Sequence, residues 1–189
     1  MILNHSCIGR TICSKWINDI AGPSTYCPAD VIFAVDESTS VGTSNFNVIK
    51  SFLSQFVGRL RLQIDNGNTR VGLLKFASVV DTVQAFNLDA HSSTAAVQSA
   101  IRELSYTGGR TNTAGALRYV RTDMLTSAAG DRPDVLNVVI VMTDGKSNVN
   151  PTQTPVSTVR KLMKNFLISE TVLNCLPLIG ACCIKSPYS

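Results

Sequence analysis

Hydrophobic residues between positions 29 and 167 form strand patterns and helix patterns in alternation. Positions 31–35 are a continuous apolar run, 71–76 form a second apolar segment, and 135–142 form the most hydrophobic segment of the chain. Such runs are typical of strands that are covered on both faces. The alternating segment at 79–86 follows the second strand too closely for a helical crossover, so it predicts an antiparallel strand at a sheet edge.

Four helices are predicted from apolar residues that recur every three or four positions. The positions of the first helix are Phe46, Ile49, Leu53, Phe56 and Leu60, and those of the second are Val97, Ala100 or Ile101, and Leu104. The positions of the third are Thr113, Leu117, Val120 and Met124, and those of the fourth are Val156, Val159, Met163 and Phe166. Ser44 is a candidate cap for the first helix. Strands separated by helices predict an α/β fold, with a mostly parallel central sheet and helices on both of its faces.

The composition is that of one ordinary globular domain. The chain has 189 residues, of which 44% are hydrophobic and 16% are charged, and this balance excludes a disordered tail and a coiled coil. The net charge of +4 is spread thinly, without the dense basic stripe of a nucleic-acid reader. No stretch reaches the roughly 18 apolar residues of a membrane span. We therefore expect no nucleic-acid partner and no membrane insertion.

The cysteines lie outside the alternating region, at Cys7, Cys13, Cys27, Cys175, Cys182 and Cys183. An even number is compatible with disulfides, but the sequence selects no pairing, and unpaired thiols are the alternative. No secretory signal is visible near the start, because Lys15 and Asp19 interrupt any apolar run. We divide the chain into an irregular Cys-containing flank at 1–26, a domain at 27–167 and a divergent Cys-rich tail at 168–189.

Oxygen-bearing side chains follow two of the predicted strands. Asp36, Ser38 and Ser40 follow the first strand, Asp144 follows the most hydrophobic one, and a polar loop at 108–113 leads into a helix. In an open α/β sheet the carboxyl ends of the strands border the crevice where ligands bind. Carboxylates and hydroxyls without His or Cys form a hard oxygen site, which suits Mg²⁺, with Mn²⁺ or Ca²⁺ as competitors.

The alternative interpretation of these residues is local. Asp36 or Ser38 taken singly is typical of a turn former or a helix cap, whereas the whole set favours a cation site. Glu37, between Asp36 and Ser38, occupies a free position of the pattern; we expect it to face solvent, and a supporting role behind the metal ligands is the alternative.

The pattern resembles the metal-ion-dependent adhesion site of von Willebrand factor A domains. It is carried by Asp36-x-Ser38-x-Ser40, by Thr111 in Gly109-Arg110-Thr111-Asn112-Thr113, and by Asp144 in Thr143-Asp144-Gly145. The segments Cys27-Pro28-Ala29-Asp30 and Arg70-Val71-Gly72-Leu73-Leu74-Lys75-Phe76 are similar to those of extracellular members such as matrilins and type VI-like collagens. The resemblance covers about residues 27 to 167.

This resemblance implies a three-layer, Rossmann-like fold and a Mg²⁺ ion held by Asp36, Ser38, Ser40, Thr111 and Asp144. It implies a secreted, non-enzymatic module for adhesion or matrix assembly. An acidic residue of an extracellular matrix protein such as collagen would fill an open position on the ion. An intracellular assembly scaffold of the same fold and a non-functional truncated variant are the alternatives.

The chain departs from this family at its C-terminal end. The family sheet has six strands, and 168–189 is too short for two further strands with their helices. We therefore expect the last two strands to be absent and 135–142 to form an exposed edge. An enzyme is disfavoured, because phosphoryl transfer through Asp36 would need a second Asp where Ser38 stands, and no phosphate-binding loop or nucleophile elbow occurs.

Overall fold

A computed structural model describes residues 28–144, 147–149 and 166–168 of the chain, all within one compact unit. The strands are β1 Ala29–Asp36, β2 Thr69–Phe76, β3 Val80–Phe86, β4 Leu136–Met142 and β5 Phe166–Ile168. The helices are α1 Gly42–Arg59, α2 Arg61–Asp65, α3 Thr94–Glu103 and α4 Thr113–Tyr119, which continues as a π-helical turn over Val120–Met124. A short 3₁₀ turn spans Ser127–Ala129.

The strands form one mixed sheet with the order β3-β2-β1-β4-β5. β1 is central and pairs in parallel with β2 on one side and with β4 on the other. β3 pairs antiparallel with β2 and forms an edge, as its alternating pattern and close spacing predicted. The predicted α/β fold with a mostly parallel sheet and one antiparallel edge strand is therefore confirmed.

β1 supplies side chains to cores on both faces of the sheet, because successive residues of a strand point to opposite sides. Ile32 and Ala34 belong to a buried cluster with Leu117 and Val120, at α4 and the turn that follows it. On the other face, Phe33 packs edge-on against Phe56 of α1, with ring centroids 5.7 Å apart. The continuous apolar run of the first strand is thus explained by burial on both faces.

The start of α1 differs from the prediction. The helix begins at Gly42, with Val41 at the N-cap position and no side-chain cap, so Ser44 lies inside the first turn. The N–H groups of Val41 and Gly42 donate to the carbonyl oxygen of Ser38 at 3.1 and 3.4 Å. The preceding loop therefore enters the helix through its own backbone hydrogen bonds, which leaves Ser44 no capping role.

The prediction that β4 forms an exposed edge of the sheet is wrong. β5 pairs in parallel with β4, with Phe166, Leu167 and Ile168 opposite three consecutive residues of that strand. Phe166, predicted as the last apolar position of a fourth helix, thus lies in a strand. The rest of that predicted helix lies outside the described residues. One of the two strands expected to be absent is therefore present in short form, and no sixth strand occurs among the described residues.

No helix within the described ranges is both long enough and apolar enough to cross a bilayer. The domain boundaries at 26/27 and 167/168 stay predictions.

Candidate metal centre

The loop after β1, residues 37–41 (loop 1), is anchored by the last residue of the strand. Asp36 is fully buried, and its Oδ1 accepts a hydrogen bond of 2.8 Å from the backbone N–H of Ser38. Its Oδ2 accepts a hydrogen bond of 2.6 Å from Oγ1 of Thr143, the residue after β4. Because both carboxylate oxygens have donors, the orientation of this carboxylate is fixed, and it links the ends of two neighbouring strands.

Two serine hydroxyls extend from loop 1 towards the end of β4. The Oγ atoms of Ser38 and Ser40 are 3.1 Å apart, and Ser40 Oγ donates to Asp144 Oδ1 at 3.1 Å. Ser38 is buried, whereas Ser40 and Asp144 are exposed. Hydrogen bonds therefore connect Asp36, Ser38, Ser40 and Asp144 from the buried strand end to the surface.

Thr111 lies in the loop before α4, residues 104–112 (loop 2), which contacts loop 1. The N–H of Thr39 donates to the carbonyl oxygen of Gly109, and the N–H of Gly109 donates to Oγ1 of Thr39, both at 2.9 Å. Gly109 has a φ of +126°, and an added Cβ would lie 3.0 Å from Ser78 Oγ, so this close approach requires glycine. The structure thus places loop 2 against loop 1 at the same end of the sheet.

The backbone of Thr111 is held by the residues that follow β4. Its N–H donates to Oδ1 of Asn148 at 2.9 Å, and its carbonyl oxygen accepts from the N–H of Asn148 at 3.0 Å and from Oγ of Ser147 at 3.2 Å. The Thr111 side chain is buried. Within the described residues, the hydrogen bonds that join the other four predicted ligands do not include its hydroxyl.

Three supporting residues were missed in the sequence: Thr143, Ser147 and Asn148. Thr143 had a signal, since it is a hydroxyl residue at the end of a strand, immediately before Asp144. No sequence signal pointed to Ser147 and Asn148. Their role depends on which loop folds back on loop 2, and a single sequence does not display such a contact.

Glu37 is buried, so the expectation that it faces solvent is wrong. It is 2% exposed, and its two carboxylate oxygens accept hydrogen bonds from Lys75 Nζ at 3.0 and 2.9 Å. The N–H of Thr107 in loop 2 donates to Glu37 Oε2 at 3.1 Å. Lys75 lies on β2 and also pairs with Asp81 of β3 at 2.7 Å. A charged side chain can be buried where it meets charged partners, and the motif alone does not show those partners.

The Lys75–Asp81 pair predicts a pH dependence of stability. The hydrogen bond from Lys75 lowers the pKa of Asp81; the N–H groups of Gln84 and Val83 also lower it, while burial opposes the shift. Because the pKa is lower in the folded state, the pair stabilises the fold above about pH 4, and this contribution is lost as the pH falls through the folded-state pKa. We expect the difference in unfolding free energy between wild type and Asp81→Asn, measured in urea, to shrink below pH 4.

The control for this measurement is Asp134→Asn, which removes an exposed carboxylate outside the candidate site. A difference between wild type and Asp81→Asn that stayed constant from pH 7 to pH 3 would contradict the assignment.

The oxygen donors of this site fit a hard divalent cation. Two carboxylates and up to three hydroxyls are available, and nowhere in the described ranges do three or more His, Cys, Asp or Glu residues gather as a metal-binding group. A site with so few charged ligands would leave a bound cation electron-poor and attractive to an external carboxylate. Because Ser40 and Asp144 are exposed, such a carboxylate could approach from solvent.

A family model described as the von Willebrand factor type A domain matches residues 30–168. The human collagen alpha-1(XX) chain is 37% identical over 150 residues, which cover 77% of this chain and 11% of that protein. Bovine matrilin-1 is 41% identical over 122 residues, which cover 63% of this chain and 22% of that protein. The chain thus spans only a small part of the length of these relatives.

Solved structures support the same assignment. Proximal thread matrix protein 1 (PTMP1) from the mussel byssus superposes with a TM-score of 0.65 at 26% identity, covering 75% of this chain and 37% of that one. A second structure of that protein, described as having a zinc-occupied MIDAS motif, gives a TM-score of 0.64 at 23% identity, covering 78% of this chain and 38% of that one. The likeness in fold agrees with the family model. The chain belongs to the von Willebrand factor type A domain family.

Proposed function

We propose that this chain is a non-enzymatic, protein-binding module of the extracellular matrix that binds an acidic ligand through Mg²⁺. The ion would be held by the side chains of Asp36, Ser38, Ser40, Thr111 and Asp144. The observation that carries the proposal is the hydrogen-bonded chain from buried Asp36 through the two serines to exposed Asp144. It joins residues more than a hundred positions apart at one end of the sheet.

The proposed ligands differ in burial, and their expected roles differ accordingly. Asp36 is buried and held through both oxygens, so it supplies a fixed negative charge beneath the ion. The serine hydroxyls and Thr111 supply neutral oxygens, and Asp144 lies at the surface. A bound Mg²⁺ would supply a coordination position for an incoming carboxylate. The charge of the ion would offset the cost of desolvating that carboxylate.

The surface beside the site offers additional contact area. A groove of about 230 Å³ borders the site, lined by Val41, Asn45, Ile49, Met142, Thr143 and Asp144. Its apolar and amide side chains could contact the ligand on one side of the coordinated carboxylate.

The relatives support the matrix assignment. Human collagen alpha-1(XX) and bovine matrilin-1 are matrix proteins with which this chain shares 37% and 41% of the aligned residues. A triple-helical collagen is the partner class that we propose first, with binding outside the cell and no enzymatic turnover.

The proposal is tested by capture of the 189-residue chain on an immobilised triple-helical collagen. We expect capture in the presence of Mg²⁺, loss of capture when EDTA is added, and recovery when excess Mg²⁺ is restored. The Asp134→Ala variant, altered at an exposed carboxylate outside the site, should behave as wild type. Capture that persists undiminished in excess EDTA would reject the metal bridge, because a coordinated ion would then be unnecessary for binding.

A further inference from the structure

Lys75 is a fully buried cation in β2, one strand away from the end of β1. Its side chain is 0% exposed, and its ammonium group contacts Glu37 at 2.9 Å and Asp81 at 2.7 Å. Its backbone is paired with Val35, the residue before Asp36, in the parallel register of β1 and β2. The lysine therefore lies beneath loop 1, on the strand that flanks the proposed ligands.

A buried ion pair is not an obvious gain in stability. Removing an ammonium and a carboxylate from water is costly for each ion, and an apolar pair of similar volume is often equally stable or more stable. Buried polar groups can instead specify one conformation of the segments that they join. The segments that Glu37 and Lys75 join therefore indicate the role of the pair.

Glu37 joins three parts of the site. Its carboxylate accepts two hydrogen bonds from Lys75 of β2 and one, at 3.1 Å, from the N–H of Thr107 in loop 2. Its own N–H donates to the carbonyl oxygen of Phe76, at the end of β2, at 2.9 Å. One side chain thus fixes loop 1 to β2 and to the loop that carries Thr111.

The residues on either side of Glu37 are both proposed metal ligands. Asp36 precedes it and Ser38 follows it, so any rotation of the backbone at residue 37 moves two proposed ligands at once. Tyr106, beside Thr107 in loop 2, donates its hydroxyl to the carbonyl oxygen of Ser38 at 3.2 Å. Loop 1 is therefore held to loop 2 at two consecutive residues, Glu37 and Ser38.

We propose that Glu37, clamped by the buried Lys75, is the positioning residue of the metal site: it sets the spacing of loops 1 and 2 and thereby the affinity for the cation. This inference rests on the proposed metal site. Glu37 does not touch the ion in this proposal, because its carboxylate lies against the ammonium group of Lys75, a positive charge that would repel a divalent cation.

Asp81 provides a matched control. It is a second carboxylate on the same ammonium group, but it lies on edge strand β3, and its other hydrogen bonds come from the N–H groups of Val83 and Gln84 within that strand. Glu37→Gln and Asp81→Asn therefore remove the same charge from the same lysine with little change in shape. Only the first change alters a side chain that joins the two loops, because the amide nitrogen of glutamine cannot accept the hydrogen bond that a carboxylate oxygen of Glu37 accepts.

The experiment is a Mn²⁺ titration of the full 189-residue chain, with free Mn²⁺ measured by electron paramagnetic resonance. We expect Glu37→Gln to raise the Kd about tenfold, in the range found for residues that orient metal ligands. Glu37→Asp keeps the charge but is too short to reach both Lys75 and Thr107, so it should raise the Kd similarly. Asp81→Asn should stay within about twofold of wild type. Melting curves in EDTA establish the temperature at which every variant is folded.

The outcomes separate the two proposals. A wild-type chain that binds no Mn²⁺ rejects the metal site and this inference with it. A wild-type chain that binds Mn²⁺, together with a folded Glu37→Gln that binds equally well, rejects only the positioning role. Equal weakening in Glu37→Gln and Asp81→Asn indicates a general charge effect and also overturns it. If Glu37→Gln does not fold, Glu37→Asp decides, and wild-type affinity in that variant contradicts the inference.

Discussion

Replacing Asp36 with asparagine should strongly weaken the binding of Mg²⁺ while leaving the fold intact. Asparagine has nearly the same shape, and its side-chain oxygen can still accept the hydrogen bond from the N–H of Ser38. Its amide nitrogen can donate to the hydroxyl oxygen of Thr143, which now donates to Asp36. The change therefore removes one of only two carboxylates in the proposed ligand set without removing the local hydrogen bonds.

The expected loss of affinity is large. Substituting a residue that only orients a metal ligand already lowers metal affinity about 10- to 100-fold, and Asp36 is itself a proposed ligand. We expect Asp36→Asn to weaken Mg²⁺ binding by about 100-fold or more in isothermal titration calorimetry. The melting temperature in EDTA should stay close to that of wild type. Asp134→Asn, which removes an exposed carboxylate elsewhere, controls for the change in net charge. Wild-type Mg²⁺ affinity in a folded Asp36→Asn chain would remove Asp36 from the ligand set.

The sheet could be predicted from the sequence because its central strands carry strong local signals. The run at 31–35 is apolar at every position, and such a run is buried wherever it lies in a parallel sheet. The edge position of β3 followed from the short connection after β2, which excludes a helical crossover. Both arguments depend on residues close together in the chain, which a sequence displays directly.

The errors concern contacts between distant segments. Phe166 continues a helical spacing, yet the structure pairs it with Val139 of β4. The helical pattern and the strand pattern are hard to distinguish when only three residues are involved. Ser44 was misplaced as a cap for a similar reason, because the helix begins at Gly42 through a backbone contact with Ser38.

In the candidate site, too, features that depend on residues close together in the chain could be predicted, and contacts between distant segments could not. Asp36, Ser38 and Ser40 lie within five consecutive residues, so their common loop could be expected from spacing alone. The approach of Asp144 followed from the rule that the carboxyl ends of neighbouring parallel strands meet. The burial of Glu37 could not be expected, because it requires Lys75, 38 positions later, to be buried directly beneath it.

At the opposite end of β1, another buried carboxylate offers a test of stability that does not depend on the metal. Asp30 is fully buried and accepts hydrogen bonds from Arg132 Nε at 2.9 Å, from Arg132 Nη2 at 2.6 Å and from the backbone N–H of Arg132 at 2.9 Å. The same guanidinium also donates to the carbonyl oxygens of Ala29, Gly67 and Asn68. One arginine thus ties together the start of β1 and the turn before β2.

Arg132→Met should destabilise the fold by about 3–5 kcal/mol, because it leaves the Asp30 carboxylate buried without its charged partner. The loss is measured as the free energy of unfolding in urea. Asp30→Leu/Arg132→Met, which removes both charges, should recover part of the loss, since the unpaired buried charge is then gone. Mg²⁺ affinity should change less than about twofold in folded Arg132→Met, because Asp30 lies about 20 Å along β1 from Asp36. A cost below about 1 kcal/mol for Arg132→Met would mean that water reaches Asp30 and that the pair does not hold the strand ends together.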